Sequence, residues 1–524
     1  MSPPDGRIPD VLVVGAGGAG APLAARLSED ADRRVVLLEA GPAPRHAADF
    51  APELLDARLV PGARPGHPGS LPYPAHLTPE RPYTVVRGRF LGGSTTVNGG
   101  YFVRPRRADL DRWAAAGGPA WSWENVLPLL RRLETDLDFG ATPVHGGAGP
   151  VRVRRPRLDH PAAEAFRAAA AELGHPDEPD KNDQGPPGFG PVPSNAVDGV
   201  RVNTALAYLL DAGSRPNLTV LGGATVLRVL IGNGRATGVE IARGGTREIL
   251  RAGEVVLCAG AFGTPHLLQL SGVGPRADLE RHGVPVALDA PGVGARFSDH
   301  PQIVVEWTPS RALPPPRDNW LAGALNLTSG DGAHTGDIEI LQSLVPMAGL
   351  VAGVHDLPGA PLPFLVSVQT PVARGSLRLA SADPTVTPRI DYGYLTTADD
   401  RRRMREATRA AADLIGTRAF RHLTAGPPAH GPDTLRGALG DDRALDAWVR
   451  ARLGTSVHAC GGTPMGPADD PGAVTDGYGR VHGVRGLRVA DTSILPTAPL
   501  RGPAASAVLV GELVADAMRR GPDA

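Results

Sequence analysis

Apolar and polar positions fall into two registers along this chain. Four consecutive apolar residues, Val11 to Val14, run into the glycines of GAGGAG (Gly15 to Gly20), then into an Ala/Leu-rich stretch ending at Leu27 and a second apolar run at Val35–Leu38. A short all-apolar run bounded by glycine predicts a strand buried on both faces, and the Ala/Leu stretch predicts a helix. The first 40 residues therefore read strand, loop, helix, strand. Residues 42–80 are Pro-rich and without period. A loop of that length in a compact protein is usually functional or mobile, so it reads either as lid-like or as a disordered segment. A second Gly-rich region runs from Val85 to Pro105, and helical periodicity follows over Trp123–Asp136. Short strand patterns fill 217–260, with a turn predicted at Asn233–Gly234. Strands and Pro-rich connections mix over 303–400, and 399–453 are helical by pattern. The C-terminus reads strand then helix, with Pro503 in the first turn and Arg519 and Arg520 in the last.

This order predicts an α/β nucleotide-binding domain assembled from separated pieces, with a second, sheet-containing domain between them. The expected boundaries are 8–150 (first nucleotide-domain part, with the lid-like 42–80), 151–216 (mixed, belonging to the substrate domain), 217–305 (middle part), 306–455 (substrate domain) and 456–524 (C-terminal part). No solenoid-type repeat is visible.

Composition narrows the function. The chain has 524 residues, 54 Lys+Arg against 55 Asp+Glu, and a net charge of −1, so no global field draws it to nucleic acid or to an anionic membrane. Two cysteines, Cys258 and Cys460, cannot build a disulfide framework and suit a cytoplasmic setting. The N-terminal residues show no signal-peptide pattern, and no apolar run reaches the roughly 18 residues of a spanning helix, which leaves peripheral membrane contact open. No Cys/His spacing suggests a metal site. Only 23 residues are aromatic (Trp 6, Tyr 7, Phe 10), so nothing favours an aromatic box for a quaternary cation.

The candidate chemistry begins at the first loop. Gly15, Gly17 and Gly20 have the G-x-G-x-x-G spacing between strand and helix, and Glu39 ends the next strand 19 residues after Gly20. That is the sequence form of a βαβ dinucleotide site: a tight turn at Gly15, backbone approach to a pyrophosphate at Gly17, helix–strand packing at Gly20, and a ribose acceptor at Glu39.

Five ordered segments extend the reading: the Gly15–Glu39 unit, GGSTTVNGG (Gly92 to Gly100), GAFGTPHLLQLSGVG (Gly260 to Gly274), GVGARFSDHP ending at Asp299–His300–Pro301, and the pair VHACGGTPMG (Val457 to Gly466) and GLRVADTSILP (Gly486 to Pro496). On these the chain resembles the GMC (glucose–methanol–choline) oxidoreductases over essentially its whole length. The resemblance implies a Rossmann-like FAD-binding domain with an inserted α+β substrate domain whose antiparallel sheet roofs the flavin. It implies FAD, bound non-covalently here because Gly92–Tyr101 contains no His. It places Gly18 and Ala19 at the diphosphate, Glu39 at the ribose, Gly93, Ser94, Asn98 and Gly99 along the flavin, Val226 at the adenine end, and Asp491 near the C-terminal flavin contacts.

His458 matches the family's catalytic His, the base for an alcohol that loses hydride to FAD. The chain departs from the pattern at Gly462, where the family has Thr, and at the second catalytic position, which a count from Gly511–Glu512 puts at Ala504. His300, Cys460, Trp121 and Trp123 read as packing residues. The implied activity is an FAD-dependent alcohol dehydrogenase or oxidase acting on CH–OH groups. Its donor is a small alcohol or a reduced redox carrier, and its acceptor a molecule other than O₂, of the respiratory-quinone kind. The form of the C-terminal loop resembles an actinobacterial branch similar to dehydrogenases encoded with the mycofactocin system. A non-redox, hydroxynitrile-lyase-like enzyme and a flavin-loaded electron-relay protein remain as alternatives.

Overall fold

The separated apolar runs meet in one parallel sheet, with Val11–Val14 as its central strand. The computed structural model describes residues 8–212, 214–330, 332, 334–352, 359–425 and 434–521. The strands lie in the order Leu218–Leu221, Val35–Leu38, Val11–Val14, Glu254–Leu257, Leu487–Val489, all parallel. Every residue of Val11–Val14 and Val35–Leu38 is buried, which is why these strands read as apolar runs rather than as alternations. Helix Gly20–Leu27 packs against the last helix, Ala504–Arg520. A three-stranded antiparallel meander, Thr225–Gly232, Arg235–Arg243 and Thr246–Arg251, leads into the fourth strand of the parallel sheet. Its first turn is Asn233–Gly234, with φ of 50° and 67°, the conformation that this dipeptide favours in two-residue hairpins.

The second unit is a six-stranded antiparallel sheet in the order Gly454–Thr455, Pro301–Trp307, Leu362–Val368, Ile338–Ser343, Leu321–Leu327, Phe189–Pro191. Register gives its two faces different chemistry. Ile303, Val366, Ile340, Leu325 and Phe189 pair across one face. They share a core with Met404, Ala407, Ala411 and Leu414 of helix Ala398–Gly416. The opposite face carries a polar row, Gln302, Ser367, Glu339 and Asn326, beside an apolar row, Val304, Leu365, Leu341 and Ala324.

Two local expectations are corrected. The segment 42–80 is not wholly irregular: Ser70–Thr78 is a strand paired with Arg81–Gly88. Tyr73, Ala75 and Leu77 are buried while Pro72 and Pro74 are exposed. The strand's other side meets Arg389–Asp391 only at His76, so the N–H groups that proline lacks have no ladder partner to lose. The helix expected to reach Asp136 stops at Leu133, because Glu134–Asp136 pairs with Val151–Val153.

That short strand anchors a buried ion cluster. His145 Nδ1 lies 2.9 Å from Glu134 and 3.0 Å from Asp136, and Nε2 lies 2.7 Å from Asp180. Arg104 binds Glu134 at 2.6 Å, and Arg155 binds Asp136 at 2.8 Å and Asp180 at 2.6 Å. Three cations thus face three carboxylates, all buried. Burial alone lowers the His145 pKa, but hydrogen bonds to Asp136, Asp180 and Glu134 outweigh it and hold the pKa up to about 10. A folded pKa above the unfolded value of about 6.5 means stabilisation that is full below pH ~6.5 and lost as pH rises through about 10. The expected result is a Tm that falls between neutral pH and pH 10, with the part of that slope due to His145 absent in His145→Gln. Equal slopes in the two proteins would contradict this linkage.

Candidate active site

The first glycine loop is closed by contacts that exclude side chains. A Cβ on Gly20 would lie 1.9 Å from the Gly15 carbonyl, and one on Gly15, at φ 100°, would lie 2.5 Å from the Cys258 carbonyl. The helix that follows has no side-chain cap and no acid in its first turn. Pro22 has no N–H and Ala21 N donates to the Gly17 carbonyl at 3.1 Å, which leaves the N–H groups of Gly18, Ala19 and Gly20 for an anion. Ala19, the N-cap, is pressed by the last helix, since a Cβ on Gly511 would lie 2.3 Å from the Ala19 carbonyl. Gly17 and Gly18 are partly exposed beside these buried neighbours. This cradle fits the diphosphate of a dinucleotide.

The second glycine loop meets the first. Gly93 stands at φ 54°, and a Cβ there would lie 2.6 Å from the Gly17 Cα. Thr204 ties both loops, its hydroxyl 3.0 Å from Thr95 Oγ1 and 3.3 Å from the Gly17 carbonyl. Arg201, fully buried, donates to the carbonyls of Leu54, Asp56, Leu59 and Thr96 and so fastens the 54–59 segment to the loop. Ser94 Oγ accepts from Gly88 N, and Asn98 Oδ1 accepts from Gly100 N. Trp320, just before a strand of the second sheet, donates from Nε1 to the Gly99 carbonyl at 2.8 Å. The antiparallel sheet is thereby pinned onto this loop.

The other dinucleotide candidates take distinct places. Glu39 is buried, and its oxygens accept from Ala16 N at 3.2 Å and Gly41 N at 2.8 Å. Burial raises its pKa to about 7 against the pull of those N–H groups. Each oxygen keeps a second lone pair for a ribose hydroxyl. Val226 is half-buried on the first meander strand. Asp491 is spent on the protein itself: it accepts from Gly260 N, Thr264 Oγ1 and Ser493 N, organising the turn into helix Gly260–Leu270.

His458 sits in a different environment, between the units. Asp299 Oδ1 accepts from the backbone N of both His300 (2.6 Å) and His458 (2.8 Å). Val457, just before it, has φ 61°, an uncommon value for a β-branched residue. Its carbonyl accepts from Arg87 Nη1 at 2.9 Å and its N donates to Thr455 Oγ1 at 3.1 Å. His300 does more than pack: its Nδ1 lies 2.9 Å from His458 Nδ1. Burial, then His300 and Arg87, push the His458 pKa well below its ordinary value, so the ring is neutral at physiological pH. Cys460 is a buried small residue whose thiol pKa burial raises.

The residue beside His458 Nε2 is Gly502, not Ala504. A Cβ on Gly502 would lie 3.2 Å from that nitrogen and 2.5 Å from the Tyr101 ring. The count from Gly511 thus runs two residues late, and Tyr101 fills the volume that a second side chain would need. Tyr101 OH donates to Glu339 Oε2 at 2.6 Å, and Asn326 Nδ2 reaches the same oxygen at 3.2 Å. Gln302 Nε2 donates to Ser456 Oγ at 3.1 Å. The polar row of the sheet therefore stands next to His458. Sequence reasoning missed Tyr101, Glu339, Thr204 and Gly502. For His300, the Asp-His-Pro segment itself was the available signal.

Comparison with known proteins matches this chain over nearly its whole length. Family models described as GMC oxidoreductase match residues 10–302 and 371–511. An uncharacterized GMC-type oxidoreductase of Rhodococcus erythropolis is 41% identical over 508 residues, covering 96% of this chain and 97% of that protein. An oxygen-dependent choline dehydrogenase of Rhizobium etli is 34% identical over 538 residues, covering 97% and 95%. The crystal structure of pyridoxine 4-oxidase from Mesorbium loti superposes with a TM-score of 0.88 at 28% identity, covering 98% of this chain and 99% of that one.

Proposed function

This chain belongs to the GMC oxidoreductase family, and on that premise we propose that it is a dehydrogenase that oxidises an alcohol or a reduced carrier and passes the electrons to an acceptor other than O₂. Membership makes it an FAD-binding oxidoreductase acting on CH–OH groups. Bound FAD supplies the two-electron acceptor for a hydride.

In this reading Gly15, Gly17, Gly18, Ala19 and Gly20 hold the diphosphate and Glu39 the ribose. Gly93, Ser94, Asn98 and Gly99 bed the ring, Val226 bounds the adenine end, and Asp491 acts through the Gly260 turn that it organises. The substrate hydroxyl is held beside His458, whose Nε2 takes its proton. The observation that carries the assignment is that Nδ1 of this ring is engaged by His300 while Nε2 has no hydrogen-bond partner among the described residues, so a reacting hydroxyl can take that place. A pKa far below neutral keeps the lone pair available. Tyr101 and the polar row of the sheet orient the rest of the donor. A respiratory quinone is the kind of acceptor that fits, and among the described residues no helix is long and apolar enough to cross a membrane.

Anaerobic stopped-flow mixing of the FAD-loaded protein with a panel of small alcohols and reduced carriers tests this. The flavin's visible absorbance is expected to bleach with at least one donor and to return faster with a soluble quinone than with O₂. If no donor bleaches it, the reading fails. Cyanide release from mandelonitrile without bleaching would identify a lyase instead.

A further inference from the structure

We propose that His300 is a positioning residue that fixes the tautomer of His458 and so decides which of its nitrogens is bare. The proposal rests on the reading of His458 as the base, but the tautomer can be tested apart from it. The two rings meet edge to face, with centroids 5.0 Å apart, an interplanar angle of 82° and an Nδ1–Nδ1 separation of 2.9 Å. Two neutral imidazoles can bond in this way only if one Nδ1 carries hydrogen and the other a lone pair. The choice then sets the far nitrogen of each ring: the donor ring has a bare Nε2, and the acceptor ring an Nε2–H.

The proposed role of His458 sets the direction. With its Nδ1 against His300 Nδ1 at 2.9 Å, only its Nε2 can meet a substrate hydroxyl, and a base needs its lone pair there. The hydrogen of His458 therefore sits on Nδ1 and is donated to His300 Nδ1. The hydrogen of His300 is left on Nε2, which is buried and has no hydrogen-bond partner among the described residues.

Burial pushes the His300 pKa down to about 3, so the ring stays neutral and does not compete for the proton. When His458 gains a proton at Nε2, its Nδ1–H···Nδ1 bond becomes charge-assisted and stronger. The backbone hold of Asp299 on both histidines, and that of Arg87 on the Val457 carbonyl, fixes the angle at which the rings meet.

Two variants separate positioning from packing. His300→Asn presents an amide oxygen near the place of Nδ1 and keeps an acceptor, whereas His300→Leu fills the space without one. His300→Leu is expected to lose about 10–100-fold in kcat/KM with its FAD content intact, as for other residues that orient a functional imidazole, and His300→Asn to recover most of that loss. Independently of turnover, nitrogen NMR of protein labelled at histidine nitrogen should show His458, assigned by its loss in His458→Gln, protonated on Nδ1. In His300→Leu the Nε2–H form should appear. A proton on Nε2 of His458 in the unaltered protein, or an unchanged His458 signal in His300→Leu, overturns the proposal. Because the NMR result needs no substrate, inactivity toward every donor would count against the proposed reaction and not against the tautomer.

Discussion

His458→Ala is expected to slow flavin reduction by the best donor by about 10²–10⁴-fold, the usual contribution of a positioned general base. FAD content and Tm should stay close to those of the parent protein. The expectation follows from the division of labour at the site. The diphosphate cradle at Gly15–Gly20 and the second loop at Gly92–Gly100 make no contact through the imidazole, so the cofactor does not depend on it. Among the described residues the other side chain against Gly502 is Tyr101, which has its hydroxyl committed to Glu339 and its pKa raised by burial far above the ordinary value. The pH dependence carries the same sign: a base whose pKa is pushed below 6.5 is deprotonated throughout the neutral range, so the parent rate should be flat there and fall only in acid. Imidazole added to the alanine variant should restore part of the rate by entering the vacated space. Turnover at the parent rate by His458→Ala would remove the base assignment and favour the electron-relay alternative.

The nucleotide-binding half was legible because its signals are local. Gly15, Gly17, Gly20 and Glu39 lie within 25 residues, and at Gly15 and Gly20 the backbone itself excludes a side chain. The C-terminal strand and helix were legible for the same reason. What the chain hid depends on distant partners. Pro72 and Pro74 argue against a strand until the free side of Ser70–Thr78 is seen. The His145 cluster joins residues from 104 to 180, and no periodicity announces it. His300 and His458 are 158 positions apart, so a motif gave each residue but not the contact between them. The residue beside His458 Nε2 stands two positions before the one that counting from Gly511 gives, because Gly502 lies in the loop ahead of helix Ala504–Arg520, where only the fold says which backbone atom meets the imidazole.

Glu512→Ala should destabilise the nucleotide-binding half by about 3–5 kcal/mol, the scale for removing one partner of a buried ionic group. Glu512 is fully buried on the last helix. It accepts from Arg26 Nε at 2.9 and 3.1 Å, from Arg132 Nε at 3.0 Å, and from Tyr208 OH at 2.8 Å. One carboxylate thus joins the first helix, helix Trp123–Leu133 and the 205–209 segment to the helix that presses on Ala19. Its loss leaves the buried Tyr208 hydroxyl without its acceptor and two arginines facing each other. Both arginines are partly exposed, at 18% and 34% of the side chain, so water recovers part of their cost and the upper end of the range is a ceiling. Glu512→Gln keeps an acceptor for Tyr208 but turns amide hydrogens toward an arginine, and should fall between the parent and Glu512→Ala. Because Gly511 abuts the Ala19 carbonyl, loosening this helix also loosens the diphosphate cradle. FAD retention through gel filtration should therefore fall in the same order as Tm. A Glu512→Ala protein that kept both its Tm and its FAD would show that the helix is held by its apolar face alone.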